Sequence, residues 1–332
     1  MKGVLINKYR KAWIDALRGL AILLVVYGHC LKDAPEFYIF TSPFKMPLFF
    51  AISGYFLHSQ HNDGGYLAFL KQLLRKVFVP WMILGLLPAL ILIPFKGAGY
   101  FLQSFLNLLS GKDLWFMPCF FIGEIIWYSI LRICKKEMWI VLSAFMCFWG
   151  GLLLHNKGLM NYAMFNRALV VQPFFLIGYL FRQHENFLIK IKWHWIILGV
   201  FLYIAFCLFS MKCYPFESID VHLNKYYNIP YCLLLIYLSC FLLFVAACKS
   251  NFNSSILSFI GQNTLLIYIW HSYVIGILVR ALSLVDISLP SNFLSPILKL
   301  IWACFGCGIC AIIFNRFLPE VVGKKKIKNN NE

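Results

Sequence analysis

Charged residues are scarce in this sequence, and acidic residues are the scarcest among them. Asp, Glu, Lys and Arg make up 13% of the 332 residues, whereas hydrophobic residues make up 61%. A soluble domain carries roughly a quarter charged residues, so this composition excludes an ordinary soluble globular protein. Apolar runs close to the ~20-residue length of a spanning helix recur along the chain. The composition therefore predicts an all-α polytopic membrane protein.

Hydropathy predicts about ten transmembrane helices, with the N- and C-termini in the cytosol. The predicted spans are 13–31, 40–58, 77–95, 114–131, 138–154, 168–181, 193–211, 229–248, 257–279 and 295–317. With this orientation most Lys and Arg residues fall in inner segments, as the positive-inside rule requires. The net charge of +17 is therefore mainly a topology signal. We expect membrane lipid as a partner and no nucleic acid.

The sequence lacks long polar stretches that could form a second domain. We predict a cytosolic segment over 1–12, a single membrane domain over 13–318 and a basic, polar cytosolic tail over 319–332. No small-residue cleavage site follows the first apolar run, which indicates a retained span and not a removed signal peptide. Proline predicts kinks in several spans, at Pro80, Pro88, Pro118, Pro173 and Pro230.

Metal and nucleophile motifs are also lacking. The 12 cysteines lie mostly within spans, where buried cysteine behaves as a small hydrophobe. Cys304, Cys307 and Cys310 are three apart but have no fourth ligand nearby, so we predict helix packing there and no metal. Ser53 has no GxSxG turn around it, which argues against a serine nucleophile.

The first span carries an unusual pair of charges. Arg18 and His29 are eleven residues apart, about three full turns, so they share one face at a separation of about 16 Å. Asp15 precedes Arg18 by three residues on the same stripe. An ionisable residue inside a membrane usually marks a pathway or a site. The alternative is that His29 bridges two helices and Arg18 is an inner-surface anchor.

This spacing suggests chemistry with an anion held at the cytosolic surface and a reactive group deep in the membrane. A cytosolic acyl-CoA has that shape, with its phosphates at Arg18 and its thioester arm reaching toward His29. Histidine can accept and return a proton near neutral pH. Further basic residues precede the third span and could clamp the phosphates or simply anchor the topology, namely Lys71, Arg75 and Lys76.

Four other polar or aromatic residues are candidates for the site. Glu124 lies in the middle of the fourth span, where a lone carboxylate is expensive, and could act with a histidine or be a protonated structural group. His271 lies as deep in its span as His29 does. Trp115 could stack against a sugar or belong to an aromatic belt. Ser53 and its glycine neighbour favour close helix packing beside the site.

Several segments together carry a family resemblance. They are "WIDALRGLAILLVVYGHC" (13–30), "FKMPLFFAISGYF" (44–56), "KQLLRKVFVPW" (71–81), "LWFMPCFF" (114–121) and "GQNTLLIYIWH" (261–271). In this order they resemble the acyltransferase 3 family of membrane proteins, and the second and fourth resemble its fucose 4-O-acetylase-like branch. The resemblance implies acyl-CoA as donor, His29 as the catalytic residue and Arg18 on the donor side. Lys45 stands where many relatives carry histidine.

We therefore predict a multi-pass O-acyltransferase of a bacterial inner membrane. It would move an acyl group, most simply acetyl, from cytosolic acyl-CoA to a sugar hydroxyl of a surface or exported glycan or a lipid-linked saccharide, with no tightly bound cofactor. The predicted catalytic set is His29, Asp15 and Glu124, the donor set Arg18, Lys71, Arg75 and Lys76, and the acceptor set Lys45, Ser53, Trp115 and His271. A transient acyl-histidine is the mechanistic alternative. A transporter or flippase of a lipid-linked sugar is the functional one, weakened by the lack of an internal repeat.

Overall fold

The computed structural model describes residues 11–31, 34–60, 65–214, 217–286 and 294–324, and these ranges are almost entirely helical. The helices are α1 (Ala12–Cys30), α2 (Pro35–Lys45), α3 (Pro47–Gln60), α4 (Tyr66–Leu73), α5 (Val79–Ile91), α6 (Ile93–Lys96), α7 (Ala98–Ser110), α8 (Phe116–Ile133), α9 (Glu137–Asn156), α10 (Phe165–Val170), α11 (Gln172–Gln183), α12 (Glu185–Leu188), α13 (Trp193–Cys213), α14 (Ile229–Lys249), α15 (Ser255–Gln262), α16 (Thr264–Leu284) and α17 (Leu294–Phe317). A π-helical turn, Leu74–Phe78, joins α4 to α5. No β-strand forms within the described ranges.

Eight helical segments in the described chain are long and apolar enough to cross a membrane. A ninth forms if Tyr162–Val170 and Gln172–Gln183, bent by 47° at their junction, count as one span. Pro173 lies just after that bend, at the start of α11. The prediction of an all-α polytopic membrane protein is confirmed.

The predicted second span is divided between two shorter helices, neither of which is long enough to count among those segments. The stretch predicted as the second span, 40–58, is broken at Met46, between α2 and α3. Near the end of α3, Tyr55 donates a hydrogen bond to Glu185, which also accepts one from Lys11 at the start of α1. The chain has therefore returned to the side where it began. We call this the inner side and the side of the α1 C-terminus the outer side.

Helix α1 lies at the centre of the bundle. Of the residues in its most apolar stretch, 67% are buried, compared with 17% for α17. Glycines allow its closest contacts and those of α3. A Cβ on Gly19 or Gly261 would overlap a backbone carbonyl across the α1–α15 contact. A Cβ on Gly54 or Gly178 would do the same across the α3–α11 contact. Only hydrogen on these α-carbons lets the helix backbones approach so closely.

The outer ring of helices presents apolar side chains to the surroundings. Trp149 on α9, Phe201 on α13 and Phe305 on α17 are all exposed, as expected for helices that face lipid. On the inner side, a 3₁₀ turn over Pro319–Val322 packs against α5. Gly323 then adopts a φ of 73° beside the backbone of the π-helical turn. The first residues of the predicted tail are thus packed on the bundle.

Candidate active site

A cavity of about 600 Å³ extends into the bundle beside α1. Its walls come from α1, α3, α4, α8, α15, α16 and the C-terminal segment. Its charged lining side chains are Lys11, Asp15, Arg18, Lys76, Glu124 and Lys324. Four cations against two carboxylates make the cavity electropositive, which favours an anionic ligand.

Two residues of the predicted α1 stripe lie in this cavity. The guanidinium of Arg18 sits 5.4 Å from the ring centre of Phe56 on α3, in a cation–π geometry. Asp15 is 7% exposed, and its Oδ2 accepts a hydrogen bond from Gln262 at 3.4 Å. The close α1–α15 contact brings Gln262 to this position. Arg18 is therefore held against an aromatic wall, and Asp15 is tied to the neighbouring helix.

The carboxylate of Glu124 is anchored by α3. The hydroxyl of Ser53 donates a hydrogen bond to Oε1 of Glu124. Arg18 and Lys76 interact with the same carboxylate electrostatically. Glu124 therefore has one hydrogen-bond donor and two cations in electrostatic range, and partners of this kind are usual for a carboxylate inside a membrane. Ser53 acts here as a donor to the acid.

The cavity ends before His29. At its deep end, toward the outer side, the apolar lining includes Ile22, Met46 and Tyr268. Ile22 lies two helical turns before His29, about 10 Å along α1. The His29 ring is exposed, although the residues on either side of it in the chain are buried. A layer of side chains thus separates the inner cavity from the histidine.

His29 faces His271 on α16. The two ring centres are 5.0 Å apart and the rings are inclined by 38°. His271 is 4% exposed, and its Nδ1 lies 3.0 Å from the carbonyl of Ile267 and 2.9 Å from that of Tyr268. Carbonyl oxygens only accept, so Nδ1 carries the hydrogen and the Nε2 of a neutral ring is an acceptor. The backbone of α16 therefore fixes the orientation of the ring beside His29.

Lys45 lies against the C-terminal part of α1, beside Gly28. Its Nζ is 4.2 Å from the ring centre of Tyr38 and 5.5 Å from that of Phe37. A Cβ on Gly28 would lie 3.6 Å from this Nζ, so the ammonium packs directly against α1. The hydroxyl of Tyr38 donates a 2.7 Å hydrogen bond to the carbonyl of Gly28, which fixes the ring. Lys45 and His29 are also in electrostatic range of each other.

On the outer side, Trp115 stacks on a loop histidine. Its ring centre lies 5.0 Å from that of His222, with an interplanar angle of 23°. The carbonyl of His222 accepts a 2.9 Å hydrogen bond from Nε of Arg167. Partial burial lowers the pKa of His222, and the positive charge of Arg167 adds to this against the opposing effect of Asp220. The ring stacked on Trp115 is therefore mostly neutral at pH 7.

A known protein family matches almost the whole chain. The family model described as "Acyltransferase domain", Acyl_transf_3, matches residues 11–316. The chain belongs to the acyltransferase 3 family. It is thus a membrane acyltransferase, and the resemblance to the acyltransferase 3 family is confirmed for the family as a whole, though not for its fucose 4-O-acetylase-like branch. No curated protein and no solved structure matches the chain.

Within this acyltransferase, the predicted donor residues lie in different places. Arg18 and Lys76 line the cavity, whereas Lys71 and Arg75 are not part of its wall, although all three lysine and arginine residues before the third predicted span are exposed. Lys76 lies one turn after the cavity residue Gln72, so both project from the same side of the helix. Lys71 and Arg75 occupy the adjacent row, which faces away.

Lys324 and His222 are among the site residues that the sequence reading missed, as are Lys11 and Gln262. Lys324 lines the cavity, and its ammonium donates to Oδ1 of Asn263 at 3.0 Å and to Oδ1 of Asn315 at 2.6 Å. In the sequence it is only the first lysine of a basic tail. His222 lies in a loop where a histidine needs no special role. Neither Lys324 nor His222 carries a local signal, because each is brought to the site by tertiary packing.

A partly buried acid holds the cavity residue Lys11 in place. Glu185 accepts hydrogen bonds from Lys11, from Tyr55 at 2.8 Å and from Arg182 at 2.6 Å. Burial alone would raise the pKa of Glu185, but these three donors outweigh it and hold the pKa below its usual value. No group of three His, Cys, Asp or Glu residues in the described ranges could hold a metal ion.

Proposed function

We propose that this membrane acyltransferase moves an acetyl group from cytosolic acetyl-CoA to a sugar hydroxyl of a surface or exported glycan. The resemblance to the fucose 4-O-acetylase-like branch supports a glycan acceptor. The proposal places the protein in a bacterial inner membrane, with acetyl-CoA as a substrate and no tightly bound cofactor. The acceptor is a saccharide, free or lipid-linked, that meets the enzyme at the outer side.

The observation that carries the proposal is the position of the electropositive cavity relative to His29. The cavity has four cations near its inner part, including Arg18 on the helix that also carries His29. A CoA diphosphate would bind these cations through charge-assisted hydrogen bonds. To reach the imidazole, about 16 Å from Arg18 along α1, its thioester arm would have to pass the side chains of Ile22, Met46 and Tyr268, which would move apart when the donor binds. An electropositive cavity at the inner side and an exposed histidine near the outer end of α1 suit a donor and an acceptor that arrive from opposite sides.

In the proposed reaction, His29 is the general base. It removes the proton from the acceptor hydroxyl while the oxygen attacks the thioester carbonyl. The tetrahedral intermediate collapses, the carbon–sulfur bond breaks, and the thiolate of CoA leaves with a proton returned by His29. General base catalysis of this kind contributes about 10²–10⁴-fold. His271, fixed by backbone carbonyls, would hold the His29 ring in position.

The other predicted residues take supporting roles in this proposal. Arg18 and Lys76 bind the donor phosphates, and Lys324 joins them from the C-terminal segment. Asp15 and Glu124 orient the cations of the cavity and do not contact the reacting atoms. Trp115 offers an aromatic surface to the sugar, next to the His222 ring.

The test combines donor binding with acyl transfer. Purified protein with CoA added should show a higher melting temperature than without it, because a ligand stabilises the state that binds it. His29→Ala should keep this shift but lose transfer of labelled acetyl from acetyl-CoA by about 10²-fold or more. The exposed His194 provides the matched control, His194→Ala, which should retain full activity.

The outcomes separate the proposal from its alternatives. Full transfer by His29→Ala would exclude His29 as the base. A sugar exporter would show no stabilisation by CoA and no transfer of the label. Trapping of labelled acetyl on wild-type protein, absent in His29→Ala, would replace general base catalysis with an acyl-histidine intermediate.

A further inference from the structure

Lys45 is a half-buried cation without an anionic partner in the part of the chain that the structure describes. No hydrogen bond and no carboxylate within 4 Å reaches its ammonium there, and its contacts are the rings of Tyr38 and Phe37. The carboxylate in electrostatic range of the Lys45 ammonium is that of Asp220. That carboxylate accepts a hydrogen bond from the backbone of Leu223, on its own loop.

A lone charge at this depth is costly to the folded protein. A cation–π contact contributes about 0.5–2 kcal/mol, less than the cost of removing an ammonium from water. The ring of Tyr38 is nonetheless fixed by its hydrogen bond to Gly28, so the ammonium is held in a prepared position. Such an arrangement is expected where a bound ligand supplies the opposite charge.

The donor cannot supply the missing anion if it binds as proposed. Gly28, against which Lys45 packs, lies ten residues after Arg18 on α1, or about 15 Å along the helix axis. Phosphates held by Arg18 at the inner end would remain far from Lys45. The thioester that reaches this depth carries no charge. The anion must therefore arrive with the other substrate.

We propose that the acceptor is anionic, and that Lys45 binds its acidic group beside the hydroxyl presented to His29. The inference rests on the proposed function and specifies its acceptor class. The shared chemistry is an anionic oxygen group, either the carboxylate of an acidic sugar or the phosphate of a polyprenyl diphosphate linker. Arginine at position 45 would preserve this interaction, whereas a neutral side chain of similar length would not.

The experiment measures acetyl transfer to matched acceptors. One pair is an oligosaccharide containing uronic acid and the same oligosaccharide with its carboxylates reduced to hydroxymethyl groups. The second pair is a neutral oligosaccharide attached to polyprenyl diphosphate and the same oligosaccharide free. Wild-type enzyme should prefer the charged member of one pair by roughly 10- to 100-fold in kcat/KM. The pair that shows the preference identifies the source of the anion.

Variants at Lys45 then assign the preference to its charge. Lys45→Met should abolish the preference while leaving the KM for acetyl-CoA unchanged, and Lys45→Arg should retain most of it. The control is Lys96→Met, because Lys96 makes a similar contact, 4.4 Å from the Tyr100 ring, but is exposed. Without acceptor, Lys45→Met should melt at the same temperature as wild type or higher, because no carboxylate in the described part of the chain forms an ion pair with the Lys45 ammonium.

The results distinguish the inference from the function on which it rests. Equal transfer to both members of each pair would overturn the anionic acceptor, and an unchanged preference in Lys45→Met would overturn the role of Lys45, in both cases without affecting the proposed acetyl transfer. A clear fall in the melting temperature of ligand-free Lys45→Met would instead assign Lys45 a structural role. If wild-type protein transfers no acetyl from acetyl-CoA to any of the four acceptors, the proposed function itself fails.

Discussion

At the scale of the residue, the position of a cation on its helix decides whether it can serve the cavity. Arg18 lies against Phe56 inside the cavity, while Lys71 is exposed outside it. Both are basic residues near the inner surface, and the positive-inside rule explains either one equally well. Only the packing of α1 and α4 separates a binding role from a topological one.

This difference predicts the effect of two matched substitutions. Arg18→Met should raise the KM for acetyl-CoA by roughly 10- to 100-fold, since a hydrogen bond to a charged group is worth about 1.5–3 kcal/mol. Lys71→Met should leave the KM unchanged. Steady-state kinetics with purified, folded protein provide the measurement. Equal KM values for wild type and Arg18→Met would remove Arg18 from the donor site.

The roles of individual residues could be predicted from the sequence only in part. The Arg18 and His29 stripe follows from helical periodicity alone, because both residues belong to one helix. The contact between Ser53 and Glu124 joins α3 to α8, and that between His29 and His271 joins α1 to α16. Such pairs depend on how separate helices pack, and no local pattern encodes that packing.

At the scale of the element, glycine contacts set the distances between helices. Gly178 on α11 lies against the backbone carbonyl of Ala51 on α3, two residues before Ser53. The α3–α11 contact therefore helps to place the Ser53 hydroxyl that meets Glu124. A larger residue would push the two helices apart and change the wall of the cavity.

We expect Gly178→Ala to destabilise the protein by about 1–3 kcal/mol or more, because its Cβ would overlap backbone atoms that cannot rotate away. The control is Gly276→Ala on α16, where a Cβ would meet nothing within 4 Å. Thermal unfolding in detergent provides the comparison. A Gly178→Ala protein as stable as wild type would mean that α3 and α11 can separate without cost.

The break between α2 and α3 shows what hydropathy leaves open at this scale. The stretch 40–58 is apolar enough to be predicted as a span, yet the chain leaves regular helix at Met46. A proline in the sequence marks this break in part, because Pro47 is the first residue of α3. The break places Lys45 at the end of α2, opposite Gly28. An unbroken helix over this stretch would not put its lysine at that position.

At the scale of the whole molecule, Glu185 joins three parts of the inner side. Its partners are Lys11 before α1, Tyr55 on α3 and Arg182 on α11. Because its pKa is lower in the folded protein than its usual value, the ionised carboxylate stabilises the fold. This stabilisation is present in full above the unfolded pKa of about 4.3 and is lost as pH falls through the folded value.

Glu185→Gln should therefore lower the melting temperature at pH 7, with a loss of about 1.5–3 kcal/mol for the hydrogen bonds to the charge. The gap to wild type should narrow as the pH approaches 4 and below. Glu137→Gln is the control, because Glu137 is 41% exposed and should show little effect at pH 7. A gap that stays constant with pH would show that ionisation of Glu185 does not matter for stability.

The number of membrane crossings is a second prediction at this scale. Lys324 and Lys11 line the same cavity, so the two ends of the described chain lie on one side, and this requires an even number of crossings. Reporter proteins that fluoresce only in the cytosol should be active when fused at either terminus. A reporter inserted at Lys157, between α9 and α10, should be dark. A signal from only one terminus would mean an odd number of crossings.

The sequence alone determined the membrane class, nearly all of the spanning helices, the family and the Arg18–His29 stripe. These follow from composition and periodicity, which act within about 20 residues of chain. The tertiary structure decided which cations reach the cavity, which acid Ser53 meets, and which groups surround His29. These depend on how closely helices distant in the sequence approach, a distance set largely by four glycines and one break in the chain.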